Sequence, residues 1–132
     1  MRASDVPELN PHETGEQQAV FQWAKYHLGK YPDLEWMYAI PNGGYRHKAT
    51  AARLKAEGVK SGVPDICLPI PRGIYPGLYI EMKRPKKGRL SENQKRWRAV
   101  LCRNGYRVER CDGWQQAVAV LLNYLNLEGM RE

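Results

Sequence analysis

The sequence predicts an α/β fold with a mixed four-stranded sheet flanked by helices. Three observations lead there. Helical and strand periodicities succeed one another in the order α-β-α-β-β-α-β-α. Two consecutive strands are joined by Pro69–Gly77, a short connection with three prolines and two glycines, which calls for an antiparallel hairpin-like arrangement. The following strand-helix-strand unit calls for a parallel pair joined by a right-handed crossover. A sheet with one apolar face and amphipathic helices then stack in layers.

The elements follow in order. Residues 1–12 read as a flexible arm and 13–132 as a single domain, with no internal repeat. From Glu13 to Leu28 the residues Val20, Trp23, Ala24, His27 and Leu28 recur at helical spacing, and Tyr31-Pro32 ends the helix. Glu35–Ile40 is β-prone and stops at Pro41-Asn42-Gly43-Gly44. Thr50–Glu57 is a short helix with Gly58 as its C-terminal cap. Ser61–Pro64 is a turn, Asp65–Leu68 a short strand and Leu78–Lys83 a second one. Pro85–Arg89 is a basic loop. Ser91–Asn104 is a helix with Trp97, Val100 and Leu101 on one face, closed by Gly105. Tyr106–Cys111 is a strand, and Trp114–Leu125 is a helix with Ala117, Val118, Leu121, Leu122 and Leu125 on its apolar face. The aromatic residues Trp36, Tyr38, Trp97, Tyr106 and Trp114 fall at strand and helix spacing, which points to the core.

Bulk composition narrows the function. A chain of 132 residues with 42% hydrophobic content is one domain's worth of core. The net charge is +7 and the pI about 9.5, which suggests an anionic partner, nucleic acid first. From Arg84 to Arg110 ten Lys or Arg face two acids, Glu92 and Glu109, so this stretch carries +8 and the remainder −1. No run of 18 apolar residues exists, so no membrane span is expected. The first eleven residues are polar and hold Asp5 and Glu8, unlike a signal peptide. Cys67, Cys102 and Cys111 are odd in number and lack CxxC spacing, which argues against zinc and a disulfide framework and for small core fillers. Reduced thiols fit a cytoplasmic protein.

The segment with most chemistry runs from Gly62-Val63-Pro64-Asp65 to Ile80-Glu81-Met82-Lys83. Side chains alternate along a strand, so Glu81 and Lys83 share one face while Ile80 and Met82 share the other. With Asp65 beside them on the neighbouring strand, two carboxylates and a lysine converge. Adjacent carboxylates repel unless a cation lies between them. Mg²⁺ suits oxygen ligands and keeps waters for chemistry, and a lysine nearby can orient such a water. Spacing alone also allows a solvated charge pattern on an exposed strand, with Asp65 capping a turn.

Asp65 followed by Glu81-Met82-Lys83 resembles the split motif of the PD-(D/E)XK nuclease superfamily, with Pro64-Asp65 as its first half. A wider set is similar to the virus-type replication-repair nuclease (VRR-NUC) domain. It comprises Glu16-Gln17 and Trp23, Pro41-Asn42-Gly43-Gly44, Gly62–Ile66, Glu81–Lys83, and Leu90-Ser91 with Gln94 and Trp97, and spans about Glu13 to Val108. That resemblance implies a restriction-endonuclease-like core. It implies that Asp65 and Glu81 ligate a divalent metal, Mg²⁺ or Mn²⁺, with the Met82 backbone carbonyl, and that Lys83 positions or activates the attacking water. Glu16 would reach in from the first helix as a further ligand or water holder. Glu13, one turn earlier, is its rival, but Glu16 lines up with the inward Val20 and Trp23. Gln94 would complete the catalytic set. Ser91-x-x-Gln94 also reads as a capping box, in which Gln94 folds back on the cap.

Arg84, Lys86, Lys87 and Arg89 follow the proposed catalytic strand and are expected to contact backbone phosphates. Asn42, Arg46 and Lys48 form a second candidate contact, where glycines allow close approach. The expected function is a Mg²⁺-dependent, structure-selective endodeoxyribonuclease. Resemblance to small stand-alone family members implies DNA repair on branched DNA such as four-way junctions, leaving a 5′-phosphate and a 3′-hydroxyl. Two cuts imply a homodimer. The setting fits a bacterial or phage-infected cell. The alternatives are a non-catalytic nucleic-acid-binding module that retains the fold and a sequence-specific restriction-type enzyme. The second lacks an extra base-reading domain.

Overall fold

The computed structural model describes residues 13–41, 48–83 and 90–128, the side chains of 13, 14 and 48 excepted. In chain order these are α1 (Glu13–Tyr26), a 3-10 helix (Pro32–Trp36), β1 (Tyr38–Ala39), α2 (Lys48–Ala56), β2 (Ile66–Leu68), β3 (Leu78–Lys83), α3 (Glu92–Arg103), β4 (Arg107–Asp112) and α4 (Trp114–Leu125). The strands form one sheet in the order β1-β2-β3-β4. The β1-β2 and β2-β3 pairs are antiparallel and β3-β4 is parallel, as the short hairpin and the intervening helix require.

Strand alternation sorts the two faces of the sheet. Ile66 and Leu68 stand opposite Ile80 and Leu78 across β2-β3. With Met82 and Cys111 these residues meet Val20, Trp23 and Ala24 of α1 and Ala117, Val118, Leu121, Tyr124 and Leu125 of α4 in one buried cluster. The apolar face is thereby covered by two packed helices. The buried Tyr124 keeps its hydroxyl satisfied by donating to the Ile70 carbonyl at 2.6 Å. The opposite face carries Tyr79, Glu81 and Lys83 of β3 beside Val108, Arg110 and Asp112 of β4, and α3 lies over it.

Some local expectations need correction. The β-prone stretch Glu35–Ile40 is a 3-10 turn and then only two paired residues, because Pro32 fits the first turn of a helix and Asp33 and Glu35 suit its positive end. Trp36, the last residue of the 3-10 helix, and Tyr38, on the edge strand β1, were expected in the core but are 58% and 50% exposed. Val100 is also exposed, whereas Leu101 on the same helix is buried. α1 stops at Tyr26, and His27 and Leu28 lie in the following turn. There His27 stacks on Trp23 at 4.5 Å and its Nδ1 lies 2.8 Å from the Trp23 carbonyl. Cys67 and Cys111 are buried fillers, but Cys102 is exposed.

Candidate active site

Asp65 sits just before β2, held on both sides by backbone. Its N–H donates to the Ile80 carbonyl at 3.0 Å, and its carbonyl accepts from Ile40 N–H at 2.8 Å. Extending the β2-β3 register by one residue beyond Ile66-Ile80 sets Asp65 opposite Glu81. Both are buried, at 7% and 6% exposure, and no other charged side chain among the described residues is buried. Buried carboxylates are rare unless they are paired or hold a cation. Asp65 Oδ2 accepts from the Met82 N–H at 2.8 Å, which fixes that carboxylate to the strand carrying Glu81.

Gln94 ties the other groups together. Its Nε2 donates to Glu81 Oε2 at 2.7 Å, and its Oε1 accepts from Lys83 Nζ at 3.1 Å. Lys83 Nζ is also 3.9 Å from Glu81 Oε2. The same Oε1 accepts from the Ser91 N–H at 2.7 Å, while Ser91 Oγ accepts from the Gln94 N–H at 3.1 Å. The capping box and the contact with the two charged residues are therefore one structure rather than alternatives. The start of α3 is what carries the amide to Glu81 and Lys83.

The turn before Asp65 locks α3 in place. Gly62 has φ +88°, and a Cβ there would lie 2.6 Å from the Asn93 carbonyl carbon. Only glycine allows this turn to press against the backbone next to Gln94. Asn93 Nδ2 donates to Ser61 Oγ at 3.3 Å across the same contact.

Glu16 reaches the same end of the sheet from α1 but is engaged differently. Gly113, the residue before α4, offers no side-chain cap, and Glu16 Oε1 accepts from the Trp114 N–H at 2.7 Å. A carboxylate on the first turn of a helix is favoured by the dipole. Gly113 N–H in turn donates to the Lys83 carbonyl at 3.2 Å, so Glu16 stands one peptide away from β3. Among the described residues no three His, Cys, Asp or Glu side chains form a metal-holding group. Asp65 and Glu81 are thus the carboxylates that share a site, and Glu16 is a helix cap beside it. Two oxygen donors still fit Mg²⁺, which is commonly held by one or two carboxylates and completes its shell with water and phosphate.

Arg98 was visible in the sequence as part of the positive charge that Lys95, Arg96, Arg98 and Arg103 carry along the helix after the basic loop, but the place of Arg110 beside Glu81 was not. Glu81 pairs in register with Arg110, and Lys83 with Asp112. Arg110 Nη2 lies 3.2 Å from Asp112 Oδ1 as an ion pair without hydrogen-bond geometry, so Arg110 Nε and Asp112 Oδ1 are buried with no hydrogen-bond partner among the described residues. Arg98 of α3 joins Glu81, Gln94 and Arg110 around a cleft walled by Pro64 and Val108. The period-two pattern of Arg107–Asp112 carried the signal, because it puts Val108, Arg110 and Asp112 on one face. Away from the charges, that face holds Tyr79, whose phenol is pushed up to about 12 by burial, then by Cys67. Tyr38 is raised as well, by its hydrogen bond with Cys67 first.

The expected phosphate contacts Asn42, Arg46, Arg84, Lys86, Lys87 and Arg89 lie outside the described residues, and of Lys48 only the backbone, as the first residue of α2, is described. The two described residues flanking the basic loop are both at the site: Lys83 holds Gln94 and Leu90 lines the cleft.

Comparison with known proteins agrees with this architecture. No curated protein matches the chain. A solved structure of a VRR_NUC domain protein superposes with a TM-score of 0.75 at 30% identity, covering 88% of this chain and 89% of that one. The model of the VRR-NUC domain matches residues 11–115, from before α1 to the first turn of α4. That span contains the Asp65-Glu81-Lys83-Gln94 cluster with the sheet and helices that assemble it, and the chain belongs to the VRR-NUC nuclease domain family.

Proposed function

We propose that this protein is a structure-selective DNA endonuclease that uses Mg²⁺ or Mn²⁺ to hydrolyse phosphodiester bonds in branched DNA such as four-way junctions, acting as a homodimer in the cytoplasm. The observation that carries the reading is the Gln94 amide, bonded at once to Glu81 and Lys83 on a strand facing Asp65. A merely solvated strand pattern has no need of a buried carboxylate pair with a fixed lysine beside it.

Asp65 and Glu81, with the Met82 carbonyl, would hold the cation. Glu16 would reach it only through a water, because one of its oxygens caps α4. When bound, the cation supplies positive charge that polarises a phosphoryl oxygen and acidifies water. Lys83 orients the water that attacks phosphorus in line, and its ammonium stabilises the charge that develops. Gln94 keeps Lys83 and Glu81 at a fixed separation, so the groups are in position before substrate arrives. The P–O3′ bond breaks as the water oxygen bonds to phosphorus, so the products are a 5′-phosphate and a 3′-hydroxyl. The +8 stretch supplies backbone affinity without sequence readout. Paired incisions across a junction require two such sites, which is the basis for the homodimer.

The test compares labelled four-way junctions with linear duplexes of the same sequence, in Mg²⁺ and in EDTA, with sedimentation at the working concentration. Paired nicks near the branch point, only with metal and by a dimer, are expected. Binding without cleavage of any substrate would reduce the protein to a nucleic-acid-binding module.

A further inference from the structure

We propose that Arg98 and Arg110 form a phosphate clamp, gripping one backbone phosphate of the substrate beside Glu81; this inference rests on the nuclease reading above. Parallel pairing brings Arg110 next to Glu81, from a strand outside the motif. Arg98 lies four residues after Gln94 on α3, hence on the same helix face and one turn further from the capped end. Both arginines line the cleft that Glu81 and Gln94 also line.

Two guanidinium groups and one carboxylate, Glu81, line the cleft. Asp112 takes one nitrogen of Arg110, yet the Nε of the same guanidinium is buried with no hydrogen-bond partner among the described residues. A buried donor without an acceptor is costly, so an arriving acceptor gains by filling it. The cleft is open to solvent, and Pro64 and Val108 form its apolar walls. The planar fork of a guanidinium matches two phosphate oxygens, where a lysine offers only a point charge. Arg98 is exposed and can close from the α3 side over a phosphate that Arg110 holds from the sheet.

A methylphosphonate scan tests this. Junctions carry one uncharged methylphosphonate at each position around the cut in turn. They are assayed for cleavage in Mg²⁺ and for binding in EDTA, with the full chain, R98A, R110A and R110K. The wild type should lose about tenfold at one position, the ratio of one charge-assisted hydrogen bond. R98A and R110A should each be weaker on the all-phosphate junction and lose less than the wild type at that position, since one guanidinium remains in each. R110K should recover only part, because it restores the charge without the fork. Additive losses at every position would overturn the clamp while leaving the nuclease intact. Coupling in binding with no cleavage of any junction would keep the clamp and remove the nuclease reading.

Discussion

Replacing Gln94 by alanine separates the two jobs that one amide performs. The change removes three hydrogen bonds: from Ser91 N–H at 2.7 Å, from Lys83 Nζ at 3.1 Å and to Glu81 Oε2 at 2.7 Å. The reciprocal cap is worth about 1 kcal/mol. The two bonds to charged partners are worth about 1.5 kcal/mol or more each when dry, but Gln94 is half-buried and water replaces part of both. The net loss of stability is therefore about 1–2 kcal/mol, which for a domain of this size lowers Tm by roughly 4 °C per kcal/mol. Cleavage should suffer more, by about 100-fold, because Lys83 and Glu81 lose their common spacer. Ser91→Ala is the matched control. It removes the hydroxyl that accepts from Gln94 N–H but leaves the Gln94 amide free to hold Lys83 and Glu81. Thermal denaturation and junction nicking on both variants decide the matter. Similar Tm losses with a large activity loss in Gln94→Ala alone is the expected result. Equal activity losses in both would show that Gln94 only caps α3 and that the positioning argument is wrong.

Other perturbations follow from the same contacts. Gly62→Ala strains a φ of +88° and drives a methyl into the Asn93 backbone, so urea denaturation should show a loss of about 2 kcal/mol or more, with cleavage falling alongside as α3 shifts. Glu16→Ala should cost about 1 kcal/mol by removing the acceptor for Trp114 N–H, and Glu16→Gln, which keeps a carbonyl there, should restore most of it in the same assay. Cys111 is raised from 9.0 to about 12 by burial first, and Tyr124 from 10.0 to about 12 by burial. The unfolded chain therefore releases these protons at lower pH than the folded one. Stability should be fully present below pH 9 and fall as pH rises from 9 to 12, read as a declining Tm across that window.

How far the sequence could be read depended on whether the signal was local. The alternation in Leu78–Lys83 correctly separated Glu81 and Lys83 from Ile80 and Met82, because one face packs against α1 and α4 and the other lies under α3. Ser91 and Gln94 were visible as a cap from their three-residue spacing, yet the contact of Gln94 with Glu81 and Lys83 depends on how α3 docks on the sheet. Arg110 beside Glu81 was out of reach for the same reason, since parallel register is set by a crossover and not by neighbouring residues. Glu35–Ile40 misled because aromatic and branched residues suit a strand anywhere, whereas edge pairing here lasts two residues and leaves Trp36 and Tyr38 in solvent. Glu16 was seen on the inward side of its helix, but inward meant the start of α4, a long-range contact that periodicity cannot reveal.

The central claim is that Asp65, Glu81 and Lys83 cut DNA with a divalent metal. Lys83→Ala addresses it most directly, because Lys83 is partly exposed and its loss leaves the Ser91-Gln94 cap and the Gln94-Glu81 bond in place. Nicking of a labelled four-way junction in Mg²⁺ should fall by about 100-fold or more in the variant, with Tm lowered by only about 4 °C for the lost Lys83–Gln94 bond and with junction binding in EDTA retained. Cleavage by Lys83→Ala at the wild-type rate would contradict the account.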